Sequence, residues 1–122
     1  MPGEKILLVD DALFNRRLLE TVLKSKGYEL LVAENGQDGI ELAIREQPDL
    51  ILMDIQLPDI DGYMVAKVLK SRAETEAIPI VALTASTAPK DIQRATEVGC
   101  VGYISKPFNP TAFPDMIANL LE

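Results

Sequence analysis

Three aspartates, a threonine and a lysine stand where short apolar runs end. Asp10 and Asp11 follow Lys5-Ile6-Leu7-Leu8-Val9, and Asp54 follows Leu50-Ile51-Leu52-Met53. Thr84 closes the run 78–83, and Lys106 comes directly after 101–105. Three carboxylates in one pocket repel, and each holds its proton more tightly unless a cation intervenes. The chain has no histidine and one cysteine, so the ligands on offer are oxygens. Mg²⁺ prefers few carboxylates, some carbonyl oxygen and retained waters. Asp11 and Asp54 as direct ligands, the Gln56 backbone carbonyl, and Asp10 through water would satisfy it. Lys106 would balance the remaining charge and hold a phosphoryl oxygen, while the Thr84 hydroxyl would donate to another. Singly, each residue has a plain structural use as a helix cap, a strand end or a solvated cation. Their convergence is what suggests a site.

Convergence depends on the elements that carry them. Leu50 to Met53 are four apolar residues in a row, the pattern of a strand buried on both faces in a parallel sheet. Pro58, Asp59, Asp61 and Gly62 then mark a surface loop, with both aspartates read as turn residues. Lys5–Val9 repeats this layout. A helix is expected next, with Phe14, Leu18 and Val22 on one stripe and Leu19 and Leu23 beside it. Asp11 is placed to cap it, and Gly27 suits its left-handed exit. A strand over 28–33 leads to a turn at Asn35-Gly36 and a helix with Ile40, Ala43 and Ile44 inward, ending before Pro48.

Met64, Val65, Val68 and Leu69 define a third helix, and 78–83 a fourth strand. A fourth helix over 89–98 starts at Pro89, turns Ile92, Ala95 and Val98 inward and stops at Gly99. A fifth strand spans 101–105. In the last helix Asn109 reads as the cap and Pro110 as a first-turn proline. Phe113, Met116, Ile117, Leu120 and Leu121 form its buried stripe, and Pro114 is expected to distort its first turn. Five strands alternating with five helices imply parallel strands joined by right-handed crossovers, a three-layer α/β domain. In such sheets the strands' carboxyl ends share one edge, where ligands bind.

Composition narrows the function. The 122 residues suit one domain, 1–122, and hydrophobic residues at 48% can fill one core. A net charge of −7 argues against nonspecific nucleic-acid binding, which needs a basic surface. No apolar run reaches the length of a membrane span, and Met1-Pro2-Gly3-Glu4-Lys5 lacks a signal-peptide layout, so the protein is read as cytoplasmic. Cys100 alone cannot form an intrachain disulfide and reads as a small core residue. Without histidine there is no Ser-His-Asp triad.

In Val9-Asp10-Asp11, Asp54 through Gly62, Leu83-Thr84-Ala85 and Tyr103-Ile104-Ser105-Lys106-Pro107, the chain resembles response-regulator receiver domains of the chemotaxis-regulator type over essentially its whole length. The resemblance implies a flavodoxin-like (βα)5 fold with strand order 2-1-3-4-5. It implies that Asp54 accepts a phosphoryl group from a histidine kinase or histidine phosphotransfer protein, with Mg²⁺ at Asp10, Asp11, Asp54 and the Gln56 carbonyl. Thr84 and Lys106 would contact the phosphoryl group. Tyr103 would be the switch aromatic, coupled to Thr84, and the surface of helix four, strand five and helix five would address a downstream target protein. A cis Lys106–Pro107 peptide is expected as well. The result would be a switch that supports its own phosphorylation and dephosphorylation without a turnover substrate. A start at Met1 and an end with the last helix favour a receiver standing alone. Leu57, where methionine is common, and Pro114 depart from the pattern without touching the chemistry.

Rival readings are weaker. An Asp-nucleophile phosphatase would want a second acid two residues on, where Gln56 stands. A mononucleotide-binding module would want a phosphate cradle after the first strand, where Asp10 and Asp11 repel phosphate unless metal is bound. A phosphorylation-independent interaction domain of the same fold remains the alternative, against which the intact Asp-Asp-Asp-Thr-Lys set argues.

Overall fold

The computed structural model describes residues 3–121; Met1, Pro2 and Glu122 lie outside the described residues, including the first two positions of the signal-peptide reading. Five strands, β1 (Lys5–Val9), β2 (Glu29–Ala33), β3 (Leu50–Asp54), β4 (Ile80–Thr84) and β5 (Gly102–Ser105), alternate with five helices. These are α1 (Leu13–Ser25), α2 (Gly36–Glu46), α3 (Gly62–Lys70), α4 (Pro89–Glu97) and α5 (Phe113–Leu121). All strand pairs are parallel, in the order β2-β1-β3-β4-β5. No helix among the described residues is long and apolar enough to cross a membrane.

The chain steps from β1 outward to β2, then returns past β1 to β3 and onward in the opposite direction. Right-handed crossovers must therefore put the helices on both faces. Strand side chains alternate to match. Leu7, Val9, Ile51, Met53, Ile80 and Ala82 pack with Ala43, Val65, Ala66, Leu69 and Ala95 of α2, α3 and α4. Ile6, Leu8, Leu50, Leu52, Val81 and Leu83 pack with Leu19 and Leu23 of α1 and Phe113 and Ile117 of α5. Burying one such aliphatic side chain contributes about 1.5–3 kcal/mol, so the two cores fix the register of the central strands. The reversal between β1 and β3 is the topological switch point of the sheet.

Local chemistry differs from the sequence reading at several ends. Ala12, not Asp11, is the N-cap residue of α1, and no side chain caps it there; instead Asp10 Oδ1 accepts from the Ala12 amide at 2.9 Å. Phe14 is 79% exposed, because α1 turns Leu19 and Leu23 inward and leaves its first turn outside the core. Asn35 is an N-cap, accepting from Asp38 N, so the expected turn is the start of α2. Asp59 and Asp61 do more than turn the chain. Asp59 accepts from the free amides of Gly36 and Gln37 at 2.8 and 3.0 Å, and Asp61 caps α3 by accepting from Tyr63 N. These amides hold the exposed Asp59 carboxyl below its ordinary range, the Gly36 bond most of all.

β4 begins two residues later than expected and runs through Thr84. β5 starts at Gly102, leaving Val101 half exposed, and α4 ends at Glu97 with Val98 as its C-cap. Asn109 caps no helix: its side chain accepts from the Thr111 amide and its carbonyl from Ala112 and Phe113. The resulting turn delays α5 to Phe113. Pro114 is thus its second residue, where a missing N–H sacrifices no helical bond, and the expected distortion does not arise. Gly27 (φ 91°) makes the left-handed exit foreseen for it. Cys100 is buried, as expected of a core residue.

Candidate functional site

β1, β3, β4 and β5 bring their carboxyl ends to one edge. Asp54 is the last residue of the central strand, with Leu83 opposite it on β4, and Thr84 faces Ser105 on β5. Asp10 follows β1 and is tied to the sheet by its amide, which donates to Ala33 O. Lys106 follows β5, its amide donating to Thr84 O at 2.8 Å. The five sequence-selected residues are thereby drawn from four strands into one neighbourhood. Only Asp11 among the three aspartates is exposed; Asp10 is fully buried and Asp54 is 2% exposed.

Carboxylate oxygens of Asp10, Asp11 and Asp54 all lie within 4.8 Å of one another. Two donors converge on Asp54 Oδ1: the Lys106 ammonium at 2.9 Å and the Gln56 amide at 3.0 Å. Gln56 is held over Asp54 by that bond, so its backbone lines the same cleft. Asp10 Oδ1 is satisfied by Ala12, but Asp10 Oδ2 is buried without a hydrogen-bond partner among the described residues. Buried polar atoms are rarely left so. Burial pushes the Asp10 carboxyl up to about 6; the Ala12 amide works against this, the Asp54 charge adds to it, and Lys106 partly offsets it. A hard divalent cation fits this donor set, since a water it holds would partner the orphaned oxygen and its charge would neutralise three converging carboxylates.

Thr84, 7% exposed, borders a cleft of about 200 Å³ together with Asp54, Gln56 and Lys106. Its hydroxyl does not reach the carboxylates by a hydrogen bond. Instead Oγ1 donates to Ser86 O at 3.1 Å and accepts from Ser86 N at 3.0 Å. Tyr103 sits on β5 opposite Ala82 and is 40% exposed. The Lys106–Pro107 peptide is cis, as expected.

Two contributors escaped the sequence reading. A Cβ on Gly62 would meet Asp54 O at 2.1 Å and Ile55 Cα at 2.7 Å, so only glycine lets α3 start against the end of β3. The motif marked Gly62 as a breaker, but the contact it permits is tertiary. Arg16, one turn into α1, donates to Asp10 O at 3.2 Å and pairs with Glu34 at 3.0 Å, bracing the β1–α1 loop. Its spacing in an amphipathic helix gave no such signal.

The sequence profile of the response regulator receiver domain matches residues 6–118. The chain belongs to that family. It is 38% identical over 118 residues to the polar-differentiation response regulator DivK of Brucella anthropi, covering 97% of this chain and 96% of that one. Its fold is similar to that of the chemotaxis protein CheY4 of Vibrio cholerae, with a TM-score of 0.92 at 29% identity over 98% and 99% of the two chains. It is similar also to the receiver domain of the sensor histidine kinase PA1611 of Pseudomonas aeruginosa, with a TM-score of 0.90 at 31% identity over 98% of each chain. That structure has a magnesium ion coordinated in its active-site cleft. Receiver domains accept phosphoryl groups in two-component signalling, bind Mg²⁺ at an acidic pocket, and act with histidine kinases or phosphotransfer proteins as switches, without a turnover substrate.

Proposed function

We propose that this receiver, acting as one unit over residues 1–122, takes a phosphoryl group onto Asp54 from a phosphohistidine of a kinase or phosphotransfer protein. The observation that carries this is the convergence of Lys106 Nζ and Gln56 N on Asp54 Oδ1 beside two further carboxylates. With Oδ1 engaged by two donors, Oδ2 is the attacking oxygen. It forms a bond to phosphorus as the phosphorus–nitrogen bond of the phosphohistidine breaks, and the electron pair leaves with the imidazole nitrogen, which regains its proton from solvent. An aspartyl phosphate results. Phosphoryl transfer asks mainly for positioning and charge neutralisation, and this site is built for both.

Asp11 and Asp54 directly, Asp10 through water, and the Gln56 backbone carbonyl would hold Mg²⁺. When bound, the ion would supply positive charge against the carboxylates and the phosphoryl oxygens. Lys106 neutralises a phosphoryl oxygen from the other side. The Thr84 hydroxyl, once turned from Ser86, donates to another. Tyr103 responds on the adjoining strand, and the surface of α4, β5 and α5 presents the outcome to a downstream protein. An acidic chain with one buried thiol suits a reducing cytoplasm as its place of action.

Acetyl phosphate supplies the same group with acetate as leaving group. Intact-mass analysis after incubation with acetyl phosphate and Mg²⁺ should find one added phosphoryl group on the wild type and none at this site in Asp54→Asn. Equal modification of the two would remove Asp54 from its role.

A further inference from the structure

The Thr84 hydroxyl has one proton, and it is already spent on the Ser86 carbonyl. That acceptor is itself anchored. Ser86 Oγ donates to Asp91 Oδ2 in the first turn of α4, and the Ala88 amide donates to the same serine oxygen at 3.4 Å. Asp91 is anchored in turn to α3: the Tyr63 hydroxyl donates to the Asp91 carbonyl at 3.3 Å. The Arg94 guanidinium covers the Tyr63 ring at 4.3 Å and pairs with Asp61, the cap of α3, at 3.4 Å. The loop between β4 and α4 is therefore clamped, in the arrangement that keeps the Thr84 proton pointed away from Asp54.

We propose that Ser86 and Asp91 form a latch that sets how readily Thr84 turns toward a phosphoryl group on Asp54. Both line the same cleft as Asp54, Thr84 and Lys106, but their side chains bond each other rather than Asp54, and they act as positioning residues, through Thr84. The inference rests on the phosphoacceptor reading given above. Its logic is competition for one proton. Thr84 can donate to a phosphoryl oxygen only by giving up Ser86 O, and the Ser86–Asp91 bond holds that carbonyl in place. A protein whose competent form is a minor fraction binds its ligand more weakly by that fraction, and releasing the latch removes this penalty. The expected gain is that of one net hydrogen bond, roughly three- to tenfold in apparent affinity.

Beryllium fluoride with Mg²⁺, a stable mimic of an aspartyl phosphate, is the probe. Its apparent affinity is read from the amide NMR signals of residues 54, 84 and 103. Ser86→Ala and Asp91→Ala should each bind roughly three- to tenfold more tightly than the wild type. Asp91→Asn keeps an amide oxygen that accepts from Ser86, so it should stay within about twofold of the wild type. In a Thr84→Ala background Asp91→Ala should change nothing, a result that a general loosening of α4 would not give. Unchanged or weaker binding in both Ser86→Ala and Asp91→Ala overturns the latch, as does an Asp91→Ala effect that persists without the Thr84 hydroxyl. Wild type that binds no better than Asp54→Asn overturns the phosphoacceptor reading and the latch with it.

Discussion

Asp10 shows how much a single buried carboxyl can cost the molecule. Its Oδ2 has no hydrogen-bond partner among the described residues, and its carboxyl is raised from 3.8 to about 6, so the folded chain holds the proton more tightly than the unfolded chain does. Its contribution to stability is fully present below pH about 3.8 and is lost as pH rises through about 6. In EDTA, Asp10→Asn should therefore be more stable than the wild type at about pH 7, with the gap closing toward about pH 4. Added Mg²⁺ should stabilise the wild type more than the variant. Chemical denaturation across this range checks both, and a constant gap would contradict the account. Cys100 behaves oppositely to a reactive thiol. Burial pushes it up to about 11, with Lys70 partly offsetting, so it stays protonated at neutral pH. A disulfide reagent at pH about 8 should label it only on unfolding; rapid labelling of the native protein would refute this.

Between strand and helix, the contacts that matter are close ones. α3 starts where its backbone touches the Asp54 carbonyl, a fit only a glycine allows. Gly62→Ala should cost more than about 2 kcal/mol, since backbone atoms must move, and should slow phosphorylation by acetyl phosphate because the end of β3 moves with them. A denaturant midpoint equal to wild type would show that the loop yields freely. The elements themselves were legible in the sequence, for definite reasons. Leu50 to Met53 announced a strand covered on both faces, and Leu19, Leu23, Ala43, Val65, Leu69 and Ile117 fell on the expected helix faces. Helix starts were less legible, because they depend on bonds made across the fold. Asp59 serves α2 from another loop, and the turn at Asn109 decides where α5 begins. Phe14 matched the helical period yet lies outside the core, since periodicity locates a face but not where along it packing begins.

Across the whole molecule, the order β2-β1-β3-β4-β5 turns residues up to 96 positions apart, Asp10 and Lys106, into neighbours of Asp54. The site's residue types were readable because chemistry at a strand end leaves an abrupt polar residue after an apolar run. Arg16's brace and the clamp on the β4–α4 loop were not, because each depends on contacts between segments, and the hydroxyl orientation of Thr84 was not, because it depends on the turn its own loop takes two residues on. If Thr84 couples the site to Tyr103, the coupling should be of the usual size, about 1–3 kcal/mol, and shift a population between two forms of one fold. Thr84→Ala should then accept a phosphoryl group at Asp54 yet show much smaller NMR shifts at Tyr103 and along α4; equal shifts in both proteins would separate the two residues. The central claim is tested most directly by locating the phosphoryl group itself. Borohydride reduces an aspartyl phosphate to homoserine, so the chain should be treated with acetyl phosphate and Mg²⁺, reduced, digested and mapped by mass spectrometry. Homoserine at position 54 is the expected result; homoserine at position 10, 11 or 59 with an intact Asp54 would contradict it.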